Sequence, residues 1–412
     1  MAPPAATIDL DGLDLDAFRE RPVAVLGLAR SGLALTRFLH ERGATVTVYD
    51  ARPAEELGEA IAALPGRSVH LRLGPDVDPE SVLQGQALIC TSPSISSRYP
   101  TTEPRLRAAL ARVEAEGMAP VVSEVDLFLR LCPARTVGVT GTKGKTTTSS
   151  LCAAVLGAGD PRTLLGGNIG RPLIEQVADL TSEHRVVLEL SELQLPTLSR
   201  GTDIAVYTHV TSDHLDRHGS LESYRLVKRR LAELLPAGGV LIRNDDDPVV
   251  SSYEAPPGAE VVTYRQGPPG ARGVGIEDGW IVAGAGLRPA GHDGRIIATA
   301  DIPIPGEHNV ANVMAAVAAG LLFDVRPSEV AGAIAGFGGV EHRLEHVAAF
   351  GGVTYVNDSQ GTQPDAVIAA VRAFERPLVL IAGGRSKGVA IDSLAMAVAE
   401  RVTAAVLIGE TA

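Results

Sequence analysis

Short apolar runs alternate along this chain with glycine-rich turns and amphipathic stretches, the rhythm of strands followed by helices. Residues 22–27 (PVAVLG) read as a buried strand, 32–42 as a helix and 44–50 (ATVTVYD) as a second strand, which makes a β-α-β unit. A further strand at 87–91 precedes Ser92-Pro93-Ser94. After Cys132-Pro133-Ala134 the pattern restarts with a strand at 136–140, a Gly-rich turn and a helix from Lys145 onward. Strands follow at 185–190 and 204–210, then a charged helix over 224–235 and a strand at 239–242. The Gly- and Pro-rich stretch 255–295 reads as hairpins and loops, and 309–322 as a helix. A third series opens near His342-Arg343, with strands at 353–357, 378–382 and 404–408 and a helix between the first two.

The pattern predicts an α/β fold of three domains. Residues 1–130 form a Rossmann-like N-terminal domain, 131–338 a central P-loop ATPase domain on a parallel sheet, and 339–412 a Rossmann-like C-terminal domain. The last reads as truncated, because a parallel sheet needs crossover helices on both faces and the chain stops four residues past a strand.

Composition narrows the function. With 412 residues, 45% of them hydrophobic, the chain can bury more than one core. A net charge of −12 without a basic block excludes nucleic acid or an anionic membrane as partner and leaves small molecules in local basic pockets. Cys90, Cys132 and Cys152 are too few and too scattered for a disulfide framework or a paired metal site. No signal-type leader or membrane-spanning run is read in the sequence, so a soluble cytoplasmic protein is expected, and a monomer is the expected state.

The sharpest local signal is Gly138-Val139-Thr140-Gly141-Thr142-Lys143-Gly144-Lys145-Thr146-Thr147, at a strand-to-helix junction. Backbone N–H groups of such a loop face phosphate oxygens, the helix dipole adds to them, Lys145 reaches the β- and γ-phosphates, and the Thr146 hydroxyl can hold Mg²⁺. The N-terminal GLARSG, by contrast, is a weak dinucleotide fingerprint that alone would suggest an oxidoreductase.

The compact TGTKGKTT resembles the phosphate loop of the Mur ligase and folylpolyglutamate synthetase superfamily, with Lys143 where that family commonly has Asn. Further motifs match in family order: LELSELQL, THVTSDHLDRH at 208–218, PGEHNVAN at 305–312 and GNIG at 167–170. The resemblance implies that Gly141, Thr142, Lys143, Gly144, Lys145, Thr146, Thr147, Asn309, Arg343 and Asp358 bind ATP. It implies that Thr146 and Glu189 hold one Mg²⁺, and that His214 and a carbamylated Lys228 hold another, so that Lys145, Glu189, His214 and Lys228 are the catalytic set. Taken alone, Glu189 would be a solvated strand end, Lys228 a solvated helix cation and Asn309 a helix cap.

Within the family, VLGLARSGLALTRFL followed by Asp50-Ala51-Arg52 is similar to the members that add D-glutamate. By that resemblance Leu28, Ala29, Asp50, Arg52, Ser92, Asn168 and Ser191 bind the UDP substrate, and Thr362 and Lys387 bind glutamate. The expected reaction is ATP-dependent ligation of D-glutamate to UDP-N-acetylmuramoyl-L-alanine through an acyl phosphate. Departures are Glu192-Leu193 for Ser-Phe, Ser94 for Gly, His209 for Asn and Gln360 for Lys. A final family segment with a Ser-Phe-Asp motif does not follow LIGETA. Two other readings stay open: a related ligase using L-glutamate, and a truncated nucleotide- and UDP-sugar-binding protein with little activity.

Overall fold

The structure, a computed structural model, describes residues 6–410 apart from 67, 212–219, 362–363, 375–376 and 385–390. The first unit is a parallel sheet of strands β1 (Pro22–Leu26), β2 (Thr45–Asp50), β3 (His70–Leu73), β4 (Leu88–Thr91) and β5 (Val121–Ser123), in the order β3-β2-β1-β4-β5. Helices α1 (Arg30–Glu41), α2 (Gly58–Ala62), α3 (Pro79–Leu83), α4 (Pro104–Glu116) and α5 (Glu124–Leu131) cover it. Val23 to Leu26 of β1 are wholly buried, as a central parallel strand requires. Strand order reverses between β1 and β4, so the loops after them, at Gly27 and Ser92, splay apart and leave a crevice at the carboxyl ends of the strands.

The second unit carries nine strands: β6 (Arg135–Thr140), β7 (Thr163–Gly167), β8 (Arg185–Glu189), β9 (Ile204–Tyr207), β10 (Val240–Asn244), β11 (Glu260–Tyr264), β12 (Gly273–Glu277), β13 (Trp280–Ala283) and β14 (Arg295–Ala298). Their order is β14-β13-β12-β11-β10-β9-β6-β8-β7, parallel except at β12-β13 and β13-β14. Helices α6 (Lys145–Gly159), α7 (Leu221–Glu233), α8 (Glu307–Leu322) and α9 (Pro327–Ala335) belong to this unit. Val313 to Ala319 of α8 are fully enclosed, and a Cβ on Gly320 would lie 2.4 Å from Val155 Cγ1, so the glycine permits the close crossing of α8 and α6.

The third region holds an antiparallel pair, β15 (Glu345–Phe350) and β16 (Val353–Asn357), then α10 (Pro364–Arg372), β17 (Val379–Gly384), α11 (Asp392–Arg401) and β18 (Ala404–Gly409), with β17 and β18 parallel. Phe350, Ile381 and Met396 are exposed there. Among the described residues no helix is long and apolar enough to cross a membrane, and all three cysteines are free and buried.

The alternating α/β architecture matches the sequence pattern, with differences at short elements. Strands β3, β5, β7 and β15 escape a reading by apolar runs because they are short, exposed or Gly-containing. The 255–295 stretch contains three strands and meets a fourth at its end, two of them joined by Asp278-Gly279 in the left-handed conformation of a tight hairpin. The strand expected to reach residue 210 stops at Tyr207, because Thr208 and His209 leave the sheet to bond with the loop after β6. Asn309 does not cap α8, since that position belongs to Gly306.

Candidate active site

Strand β6 lies between β8 and β9, so the loop at its carboxyl end, 141–144, opens toward the carboxyl ends of both neighbours. Gly141 (φ 150°) and Gly144 (φ 83°) shape it. A Cβ on Gly141 would fall 2.0 Å from Thr208 Oγ1, and one on Gly144 2.7 Å from Asn312 Oδ1. Thr142 N–H donates to His209 O at 2.5 Å and Thr208 Oγ1 to Lys143 O at 2.5 Å, which pins the loop against the strand beside it. Lys145 Nζ donates to Gly141 O and Thr142 O, each at 3.0 Å, and so stands inside the loop that its own helix begins. Burial lowers its pKa, while the nearby Glu189 and Glu192 carboxylates work in the opposite direction. Thr146 follows in the first turn of α6, and the buried Thr147 lies beside it.

Glu189 ends β8 and is 2% exposed. Asn168 N–H donates to Glu189 O and Asn168 Nδ2 to Glu189 Oε1, both at 2.8 Å, while Glu189 Oε2 is buried with no hydrogen-bond partner among the described residues. An unpaired buried carboxylate oxygen is costly unless a cation completes it. That orphan oxygen, with the Lys145 charge close by, fits the carboxylate side of a divalent-metal site.

Lys228 is fully enclosed on α7, its Nζ 3.4 Å from Thr140 Oγ1 and 5.6 Å from the Tyr224 ring centroid. Tyr224 OH in turn meets Thr142 Oγ1 at 2.9 Å, so α7 delivers Lys228 to the base of the phosphate loop. His214, Thr362 and Lys387 lie outside the described residues. Among the described residues no group of three His, Cys, Asp or Glu forms a metal cluster.

Two cavities flank this centre. One, of about 300 Å³, sits at the crevice of the first sheet, lined by Gly27, Tyr49, Asp50, Ser94 and Glu103. Asp50 accepts from Leu28 N–H at 2.8 Å and from the Arg52 guanidinium at 2.8 and 3.0 Å, and so fixes the turn after β1. Burial alone would raise the Asp50 carboxyl, but the Arg52 and Leu28 bonds outweigh it and hold it low. Leu28 is buried with its N–H spent on Asp50, while Ala29 is exposed at the start of α1. Ser92 Oγ is spent on Leu26 O at 3.1 Å, and Ser191 Oγ on Gln194 Oε1 at 3.0 Å.

The second cavity, about 200 Å³, is lined by Lys143, Gly144, Thr147, Asn309, Arg343 and Asp358 among others. It joins the phosphate loop to α8 and the third region. Asn312 links Thr148 Oγ1 (3.0 Å) to Asn309 (3.1 Å), which donates to Pro305 O at 2.7 Å. Burial raises the Asp358 carboxyl against the pull of the Leu344 N–H and of Arg343, and lowers His308.

Sequence reading missed His209 as part of this wall. Its Nδ1 is 3.1 Å from Asp247 Oδ2, and that carboxylate also accepts from Val210 N–H at 3.1 Å. A polar residue immediately after a buried strand was the available signal. Arg30, whose guanidinium crosses from the first unit to the 167–170 turn, lies within GLARSG but was given no role, because its partners are 138 and 140 positions away.

Residues 139–320 match the family model of the Mur ligase middle domain, and residues 21–114 that of the Mur ligase MurD-like N-terminal domain. The UDP-N-acetylmuramoylalanine--D-glutamate ligase of Symbiobacterium thermophilum is 40% identical over 396 residues, covering 94% of this chain and 83% of that protein. Among solved structures, UDP-N-acetylmuramate-alanine ligase MurC of Thermotoga maritima aligns with a TM-score of 0.57 at 17% identity, covering 94% of this chain and 85% of that one. MurF ligase of the same organism, in complex with ADP, gives 0.55 at 14% identity over 98% of this chain and 88% of that one. The folds agree, and the sequence is held in common along nearly its whole length with a D-glutamate ligase: this chain belongs to the Mur ligase family, among its MurD-like members.

Proposed function

We infer that this chain joins D-glutamate to UDP-N-acetylmuramoyl-L-alanine at the expense of ATP, forming ADP and phosphate in the synthesis of peptidoglycan precursors. The observation that carries the reading is the Glu189 carboxylate, buried beside the Lys145 phosphate loop with one oxygen unpaired, in a chain 40% identical to a D-glutamate ligase.

In this reading the division into units at 1–130, 131–338 and 339–412 separates three tasks. The 300 Å³ cavity, which Asp50 lines, takes the UDP moiety, with Leu28, Ala29, Arg52 and Ser92 assigned to the same substrate from the adjoining turns and Asn168 and Ser191 to its muramoyl end. The 200 Å³ cavity takes the nucleotide of ATP against Asn309, Arg343 and Asp358, with the triphosphate on Gly141 to Thr147. Thr362 and Lys387 receive glutamate.

A carboxylate oxygen of the alanyl group attacks the γ-phosphorus and ADP leaves. The glutamate amine then attacks the acyl carbon and loses its proton, and the tetrahedral adduct expels phosphate. The difficulty is charge: triphosphate, substrate carboxylate and Glu189 are all anionic, and each unit pair at about 4 Å repels by roughly 4 kcal/mol at an effective dielectric near 20. Lys145 leaves the loop carbonyls for the phosphate oxygens, and the loop N–H groups and the N-terminus of α6 hold those oxygens in line. Thr146, Glu189, His214 and Lys228 would hold Mg²⁺, which supplies charge neutralisation for the phosphoryl oxygens. As a carbamate, the enclosed Lys228 exchanges a buried cation for an anion suited to a metal. Reliance on ATP and a UDP-linked precursor points to the cytoplasm.

Phosphate release is the test, measured with UDP-N-acetylmuramoyl-L-alanine, ATP and Mg²⁺ and with D-glutamate, L-glutamate or no amino acid. D-glutamate-dependent release that Lys145→Ala reduces by about 10³-fold or more is expected. Release with L-glutamate alone would transfer the chain to a related ligase, and none with either would overturn the reading.

A further inference from the structure

The turn at 167–170 is gripped from two sides. From within the central unit, Asn168 bonds the backbone and Oε1 of Glu189, while Oε2 has no hydrogen-bond partner among the described residues. From the first unit, Arg30 at the start of α1 donates Nη1–H to Gly170 O at 3.0 Å and Nη2–H to Asn168 O at 3.2 Å. The same helix is braced a turn or two further on by Arg37, 3.4 Å from Glu175. The buried Glu124 carboxyl accepts from Ile174 N–H and feels the charge of Arg30.

We propose that Arg30 is a positioning residue for ligation: by holding the Asn168 and Gly170 carbonyls it orients Asn168, and through it the Glu189 carboxylate, toward the phosphate loop. This rests on the ligase reading above, and adds to it a residue whose guanidinium is engaged by the backbone of the 167–170 turn.

The geometry asks for arginine. Two carbonyls two residues apart are met by the two ends of one planar fork, whereas the compact ammonium of lysine cannot reproduce that paired geometry. A carboxylate whose bonded oxygen is released from Asn168 is free to rotate, and a metal ligand that must first be ordered binds more weakly. Because Arg30 comes from the unit assigned to the UDP substrate, the contact also ties the seating of that unit to the geometry of Glu189.

The test compares Arg30→Ala and Arg30→Lys with the parent enzyme. Binding of Mn²⁺ in the presence of ADP, followed by electron paramagnetic resonance, should weaken about tenfold in Arg30→Ala, and kcat should fall by a similar factor. The KM for the UDP substrate should stay within about threefold of the parent, and Arg30→Lys should recover part of both losses. Adding Asn168→Ala to Arg30→Ala should cost little more than either change alone, since both act on one carboxylate. Unchanged Mn²⁺ binding, a rise in the substrate KM with kcat intact, or additive losses in the double variant would overturn the proposal. The Mn²⁺ measurement needs no turnover, so it judges Arg30 even where the D-glutamate assay rejects the ligase reading.

Discussion

At the scale of single residues, burial decides what a side chain can do here. Glu124 stands at the start of α5, fully enclosed, and burial raises its carboxyl from an ordinary 4.5 to about 7 despite the Ile174 N–H. The folded chain therefore keeps a proton that the unfolded chain loses near pH 4.5, so folding is favoured below that pH and stability declines as pH rises toward 7. The difference corresponds to about 3 kcal/mol, spent once the pH exceeds the folded value. Glu124→Gln removes the titrating group while keeping its shape. Urea unfolding at pH 5 and pH 8 should show the parent losing stability between them and the variant losing about 2.5 kcal/mol less; equal losses would mean the carboxyl is not protonated when folded. Lys228 teaches the same point from the other side. Its neighbours in the sequence, Arg229 and Arg230, suggest a solvated cation, yet Tyr224, Lys228, Leu231 and Ala232 share one helix face at spacings of four and seven, and that face is the buried one. The spacing was legible in the sequence, whereas the Thr140 hydroxyl that meets the amine comes from β6, 88 positions away.

At the scale of elements, the phosphate loop was legible because strand, glycines, lysine and helix are contiguous, and local chemistry needs no tertiary information to form. Glu189 was legible only by its place at the end of an apolar run. What fixes its orientation is the turn after β7, a strand whose two glycines hide it from apolar pattern reading. Gly167 has φ +90°, and a Cβ there would meet Glu189 O at 2.3 Å. Gly238 has a similar φ of +79° with open space around its Cβ position, which makes it a control. Gly238→Ala should cost about 1 kcal/mol from backbone strain alone. Gly167→Ala should cost at least about 2 kcal/mol more, because backbone must move to relieve the contact, and it should also depress ligase turnover by displacing Glu189. Equal destabilisation of the two variants in chemical unfolding would show that the close approach at Gly167 is relieved without consequence.

For the whole molecule, the question is what holds the first unit against the second, since pattern reading gives separate domains but no docking. A buried apolar cluster runs through both units, and to it is added a polar latch at Asp126, 1% exposed on α5. One carboxylate oxygen accepts from Ser199 N–H at 2.7 Å and Arg200 N–H at 3.2 Å, and the other from Ser199 Oγ at 2.7 Å and Arg130 Nε at 3.1 Å. Ser123 Oγ, which caps α5, meets Thr197 Oγ1 at 2.7 Å beside it. Removing the carboxylate strands two backbone N–H groups and a largely buried guanidinium, a loss of about 3–5 kcal/mol for a buried pair broken on one side. Because those bonds cross between units rather than within one, Asp126→Ala should do more than lower the melting temperature. It should uncouple the sheets, so that calorimetry resolves two transitions where the parent unfolds its first two units together. Glu175→Ala, which removes a part-exposed contact to Arg37 in the same interface, should shift stability by less than about 1 kcal/mol and leave the transition undivided. If Asp126→Ala instead melts in one step near the parent temperature, the two units are joined by their shared apolar contacts alone, and the polar latch on α5 is incidental to their docking.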